Sequence, residues 1–416
     1  MSSLFRQLFL LYFNYLCKRF LFNDYIGVVF MNDITMKDQL IKWRHDLHMI
    51  PETAFEEHMT SVYIAEELKK MGVSVCSGLG GTGIVATLKA GEGSKVIGIR
   101  AELDALHFTE AADHSYVSKN KGKMHACGHD GHMAILLGTA KILSERQHFN
   151  GTVCFIFQPA EEPGKGARAM IEDGLFEQFP LDEIYGLHNM PGLPAGTFAT
   201  RPGGIMAGED NFVIRIKGKG AHAARPHMSI DPLVIASQII LALQTIVSRN
   251  LDPSVPAVIS CTEIVTDGVR NAIPTYVEIK GDTRSYSPDT RRFLEEKMRT
   301  ISSGICEMHG AECQFEYTHE FAPTTNWEEY VGFTVEAAAK TAGKENVTSN
   351  INQMMISEDF SAFLEKVPGV FVFLGNGDEH DQKGHIPLHS PSYDFNDDIL
   401  LTGAAYFAEL VKIRLS

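Results

Sequence analysis

Nine residues, Met124-His125-Ala126-Cys127-Gly128-His129-Asp130-Gly131-His132, constrain this chain more than any other stretch. They crowd three histidines, a cysteine and an aspartate in front of an apolar run, Met133 to Leu143, that reads as a helix. Residues two apart in an extended segment project to the same side, so Cys127 and His129 can share a metal site. The other ligands must come from elsewhere. Candidates stand in Gln158-Pro159-Ala160-Glu161-Glu162-Pro163, Leu187-His188-Asn189 and Leu388-His389-Ser390, each at the end of an apolar segment. An α/β fold collects its functional groups at such places. A lone loop histidine is usually a hydrogen-bonded one, and it is the company of Cys127 and His129 that makes His188 and His389 ligand candidates.

The rest of the pattern supplies that fold. Helical periodicity runs from Met36 to His48, stopped by Pro51, and again from Thr60 to Met71 with Gly72 as its cap. Strands follow at Ile84–Lys89 and Val96–Ala101, then a helix from Gly131 to Arg146, a strand at Thr152–Gln158, a short helix from Gly164 to Glu172 and a strand at Glu183–Leu187. Alternating strands and helices predict an α/β, mostly parallel sheet with helices on both faces. Gly78-Leu79-Gly80-Gly81-Thr82-Gly83 reads as a turn between two strands, since no helix pattern opens behind it.

Near Gly208 the character changes. Strands at Phe212–Lys217, Val258–Ile264, Tyr276–Ser285 and Gln314–Tyr317 alternate with helices at Ile230–Val247, begun by Asp231-Pro232, and Asp289–His309. Strand–helix–strand–strand–helix–strand is the order of a ferredoxin-like unit. Leu233, Ala236, Ile240, Leu243 and Val247 give the first of these helices one apolar face. The block 209–322 reads as an insertion, because a helix near Asn326–Ala342 resumes the earlier pattern. Residues 31–208 and 323–416 then form the catalytic domain, and 1–30, aromatic-rich and poor in acids, an extension outside the fold. The longest apolar run there, Leu8 to Phe13, is too short to span a bilayer.

With 416 residues, 44% of them hydrophobic and 21% charged, the chain can bury two full cores. A net charge of −15 argues against nucleic acid or an anionic membrane as partner, since both need a basic face. Seven cysteines, odd in number and without scaffold spacing, fit a reducing cytoplasm better than a disulfide framework.

Taken together, His125–His132, Gln158–Glu162, Gly218-Lys-Gly-Ala-His-Ala-Ala-Arg-Pro-His227 and His389-Ser-Pro-Ser-Tyr-Asp-Phe395 resemble the M20 metallopeptidase family. The nearest branch is the amidohydrolases of N-acyl amino acids, which includes hippurate hydrolase and the auxin-conjugate hydrolases. The match runs in order from about Trp43 to the C-terminus. One departure is Glu102 and His107, where related enzymes usually carry Asp and Pro.

Adjacent residues of an extended segment point to opposite sides, so Glu161 and Glu162 cannot both bind one ion undistorted. The resemblance makes Glu161 the general base and Glu162 the ligand. Cys127, His129, Glu162, His188 and His389 are five ligands, more than one tetrahedral ion takes, so two divalent ions are expected. A bridging thiolate would hold them about 3.5–4 Å apart around a shared water. Thiolate and imidazole suit zinc, and the carboxylate leaves manganese, cobalt or nickel open. Asp104 is expected to orient a ligand imidazole, and Asp130 and His132 to support the metal shell. By resemblance, His222 is the oxyanion donor and acts in the partner subunit's site, while Asn271 and Arg284 hold the substrate's amide and carboxylate. The resemblance also implies a lid formed by the inserted domain, pairing into a homodimer. The reading is a di-metal hydrolase that cleaves an N-acyl-amino acid, a small-molecule substrate, into a carboxylic acid and an amino acid. A dipeptidase or aminopeptidase, or a metal-dependent binding protein without activity, are the alternatives. Loss of Glu161 would mark the last, and Glu161 is present.

Overall fold

The computed structural model describes residues 29–381 and 383–416, with side chains from residue 35 on. The expected extension, residues 1–30, lies outside this range but for its last two, which open the helix Val29–His48. In chain order the strands are β1 (Ser74–Leu79), β2 (Gly83–Ala90), β3 (Val96–Glu102), β4 (Gly151–Gln158), β5 (Glu183–Pro191), β6 (Phe198–Ala199), β7 (Gly203–Met206), β8 (Gly208–Lys217), β9 (Ala221–His222), β10 (Ala257–Thr266), β11 (Ala272–Ile273), β12 (Tyr276–Ser285), β13 (Glu312–Phe321), β14 (Thr324–Asn326), β15 (Val347–Thr348) and β16 (Gly369–Gly377).

The large sheet has the order β1-β2-β4-β3-β5-β16-β6-β15. Its centre, β4-β3-β5-β16, is parallel throughout, with antiparallel pairs at β1-β2, β2-β4 and β16-β6. Both faces are covered, which is why its strands read as unbroken apolar runs. Val153, Phe155 and Phe157 of β4 join the core under the helices His129–Arg146 and Leu400–Arg414, while Cys154 and Ile156 join a second core on the other face with Phe360 and Phe363. The same alternation splits Val370, Val372 and Leu374 of β16 from Phe371 and Phe373.

The small sheet, β10-β12-β8-β13, is antiparallel throughout and has the ferredoxin-like strand order. Here one face is covered and one is open, so β12 alternates buried and half-buried residues along its length. Its helices are set by their own sequences. Asp231 accepts from Leu233 N and Ser287 from Thr290 N, each followed by a proline at the first turn, and Gly310 closes the second helix at φ 73°. Of the apolar stripe expected on the first helix, Ala236, Ile240, Leu243 and Val247 pack into the small core. Leu233 does not; it stays exposed, as do Val234 and Leu241, the last at 72%.

The two sheets meet along a ribbon in which β7 pairs with β14. Gly78 to Gly83 is the expected turn, joining β1 to β2.

Candidate metal centre

The parallel strands point their C-terminal ends at one place. β3 leads to Asp104, β4 to Glu161 and Glu162, β5 carries His188 near its end, before Pro191, and the loop after β16 carries His389. Cys127 and His129 enter from the turn that opens the helix His129–Arg146. Between them Gly128 takes φ 94°, and a Cβ there would stand 2.4 Å from Asn189 Oδ1 and 2.6 Å from the Tyr393 hydroxyl. Only glycine lets the two ligands turn inward at this spacing.

Several trios of ligand atoms result. Cys127, His129 and His188 form one, Cys127, Glu162 and His389 another, and His129, Glu161 and Glu162 a further one, the atoms of each lying within 4.8 Å of one another. Cys127 belongs to both of the first two. His129 Nδ1 lies 2.8 Å from the Asp104 carbonyl, which leaves Nε2 aimed into the site. His188 Nδ1 donates to Asn189 O at 2.7 Å, and its Nε2 stands 3.3 Å from Cys127 Sγ. His389 Nε2 lies 3.5 Å from Glu162 Oε2, and its backbone N–H donates to Ala126 O at 2.8 Å. The Asp104 carboxylate lies beside the His129 ring, its Oδ1 3.4 Å from His129 Nδ1, and its Oδ2 accepts from Glu162 N at 3.0 Å.

These residues fit divalent cations. His129 Nε2 and Glu162 Oε1 are buried without a hydrogen-bond partner. Each such orphan costs about 1–3 kcal/mol, which an ion would relieve. The electrostatics point the same way, because acidic groups crowd a place that burial has emptied of water. Burial, Glu162 and Glu161 push the Cys127 thiol well above its usual range. Burial pushes the Glu162 carboxyl up to about 7, with His129 pulling against it. Burial, then Glu358, Glu162 and Asp359, hold Glu161 well above the carboxylate range, and its Oε2 lies 3.9 Å from His129 Nε2. Asp104, Glu102 and Glu162 overcome burial and raise His129 to about 10.

Backbone strain is spent here as well. Among the described residues four other than glycine have positive φ, and two belong to this site: Ala160 at 49°, just before Glu161, and His389 at 59°. Ala160 is held by a residue sequence reasoning missed, Glu57, which accepts from Ala160 N at 2.9 Å and Thr82 Oγ1 at 2.5 Å. Also missed was a buried network under the base. Arg100 reaches Gln158 Oε1, Glu102, Glu358 and Asp359, and Asp359 in turn takes both Gln158 Nε2 and Ala167 N. The run Ser357-Glu358-Asp359-Phe360, two acids before a buried aromatic, was the available signal.

Other expectations divide. His132 lies beside the ligands but bonds to none of them, its Nδ1 2.7 Å from Glu102 Oε2 and its Nε2 2.8 Å from Asn189 Oδ1. Glu102, where Asp is usual, thus uses its longer side chain to reach His132. Asp130 was expected to support the metal shell, and the structure turns it elsewhere. Its carboxylate faces away to His48 Nδ1 at 2.8 Å and Arg44 Nη1 at 3.5 Å, because the helix start that aims His129 inward aims its neighbour outward. His222 and Asn271 are brought together, since β9 pairs with β11 and Ala223 N donates to Asn271 O at 3.0 Å. Both are exposed. Arg284 was expected to be available to a substrate carboxylate. Instead its guanidinium is engaged by Glu209 and Asp282, each at 2.8 Å, and by Ser357 Oγ, so a substrate would have to displace one of them.

Residues 98–413 match the sequence pattern of peptidase family M20/M25/M40. Hippurate hydrolase of Campylobacter jejuni subsp. jejuni is 41% identical over 377 residues, covering 91% of this chain and 97% of that protein. N-acetylcysteine deacetylase of Bacillus subtilis is 38% identical, covering 92% and 99%. Among solved structures, a dinuclear metal-binding peptidase of the M20 family from Bacillus subtilis superposes with a TM-score of 0.81 at 35% identity, covering 92% of this chain and 99% of that one.

Proposed function

The chain belongs to peptidase family M20/M25/M40, and from that premise we propose that it is a two-metal amidohydrolase that splits N-acyl-amino acids into a carboxylic acid and an amino acid. The observation that carries the reading is the pair of ligand trios sharing Cys127, with Glu161 beside them, its Oε2 3.9 Å from His129 Nε2. The relatives are named for this class of substrate, one for hippurate and one for N-acetylcysteine.

Cys127, His129 and His188 would hold one ion and Cys127, Glu162 and His389 the other. Bound there, the two ions supply Lewis acidity and lower the pKa of water between them. Glu161 takes the proton of the attacking water and hands it to the departing amine, whose basicity grows as the amide bond breaks. His222 is built to donate: its Nδ1 accepts from Ala224 N at 3.1 Å, which places a neutral ring's proton on Nε2. It would steady the oxyanion in the active site of a second copy, Asn271 beside it on the amide, the two lids pairing in a homodimer. Arg284, on exchanging Glu209 or Asp282 for the substrate carboxylate, would fix the amino-acid end.

Zinc or manganese suits the donor set, with cobalt and nickel next. Six free cysteines among the described residues support a reducing, cytoplasmic setting. The test is a panel of N-benzoylglycine, N-acetyl and indole-acetyl amino acids, and free dipeptides, with metal added back to chelated protein. Hydrolysis of an N-acyl substrate that chelator abolishes is expected. Turnover of free dipeptides alone, or hydrolysis indifferent to chelator, would contradict the assignment.

A further inference from the structure

A second gathering of ligand atoms lies outside the centre just described and shares no residue with it. His48 Nε2, Glu110 Oε1 and a ring nitrogen of His114 lie within 4.8 Å of one another. We propose that His48, Glu110 and His114 form a further binding site for a borderline divalent ion, zinc foremost, which ties the loop carrying Glu110 and His114 to the end of the helix Val29–His48.

The spacing suits such an ion. Glu110 Oε1 is 3.0 Å from His48 Nε2 and 3.0 Å from His114 Nε2. Ligands of a tetrahedral zinc at bond lengths near 2.0–2.1 Å stand about 3.3 Å apart, so a small opening of the trio seats one. His114 Nε2, although that close to a carboxylate oxygen, makes no hydrogen bond to it, and Nδ1 makes none either; both atoms are buried. A ring nitrogen near an oxygen but out of line with it is what converging ligands around a common centre look like.

Each ligand is also aimed by a partner of its own. His48 Nδ1 stands 2.8 Å from Asp130 Oδ2, the carboxylate–histidine arrangement that fixes a ligand imidazole. Glu110 Oε2 accepts from Ser118 N at 2.6 Å, leaving Oε1 for the centre. The His114 ring stacks on Tyr116 at 3.8 Å, and His45 stacks on the same ring at 3.6 Å. The Tyr116 hydroxyl donates to Asp394 at 2.9 Å, so the platform under His114 is itself anchored. His48 is buried, and the Glu110 and His114 side chains are 5% and 17% exposed, which gives an ion a way in from one side. Two imidazoles and one carboxylate leave a fourth position for water. The ion would take the place of the proton shared between His48 and Glu110.

The test compares tag-free wild-type protein with His114→Ala, both dialysed against Zn²⁺ at pH 8 and counted for zinc by elemental analysis. The wild type should hold one more zinc per chain than the variant, whatever number the Cys127 centre takes. Hydrolytic activity should be alike in both, which also shows that the variant folds. Zn²⁺ should raise the melting temperature of the wild type more than that of the variant. His114→Gln serves as a second variant, with the same loss expected. Equal zinc in wild type and both variants would overturn the proposal.

Discussion

At the residue scale, the site was legible wherever ligand chemistry depends on residue type and spacing. Cys127 and His129 two apart, the Glu161-Glu162 pair, and His188 at a strand end all converge in space. Orientation was not legible. Asp130 follows His129 directly, yet one step along a helix start turns its carboxylate to His48 and Arg44. Nor does sequence reveal that His389 reaches Glu162 from a left-handed backbone conformation, which few residues other than glycine adopt. The thiolate assignment carries its own test. A metal-bound Cys127 should react with thiol reagents readily only after chelation, although burial slows both reactions. Mass-spectrometric mapping should find it labelled in chelated protein and protected in loaded protein. Equal labelling in both would remove Cys127 from the centre.

At the element scale, most helices and amphipathic strands were readable, because period and caps are local, but the closing helix Leu400–Arg414 was not anticipated. β16 was not anticipated, although it lies beside β5 at the heart of the sheet. Gly369 to Gly377 is buried along its whole length, so no polar residue alternates to mark a face, and a short apolar run alone does not separate strand from helix. Long-range charge pairs were equally invisible. Glu183, at the start of β5, accepts from Arg414 at the far end of the chain at 2.8 and 2.5 Å, from the Tyr185 hydroxyl at 2.7 Å, and pairs with Lys95. Burial would raise its pKa, but Arg414, Lys95 and Tyr185 outweigh burial and hold it below the usual value. A carboxyl held low stabilises the fold above its unfolded pKa and ceases to as pH falls through its folded one. Glu183→Gln should therefore lower the melting temperature by a few degrees at pH 7. The deficit should shrink as pH drops below about 4.5. A deficit independent of pH would mean that shape, not charge, holds the C-terminal helix to β5.

At the scale of the whole molecule, all five proposed metal ligands lie outside the small sheet, whereas His222 and Asn271 lie on the β9-β11 ribbon of the inserted block. Exposed Val234 and Leu241 on its first helix supply apolar surface that a second copy would cover. If two lids exchange, each active site draws on both subunits, and inactive variants can repair one another. His222→Ala and Glu161→Gln should each be nearly inactive. Mixed under exchanging conditions, they should recover up to about half the activity of one wild-type dimer, since one site in two regains both groups. Recovery of nothing from demonstrated mixed dimers would confine His222 to its own chain.

The division of labour between two neighbouring carboxylates ties the fold, the metals and the chemistry together, and it is tested by the metal content of Glu161→Gln measured beside its turnover of N-benzoylglycine. Glu161 as base predicts wild-type metal content with turnover down by about 10²–10⁴-fold, while Glu162→Gln loses metal and activity together. Metal lost from Glu161→Gln, or turnover kept, would contradict it.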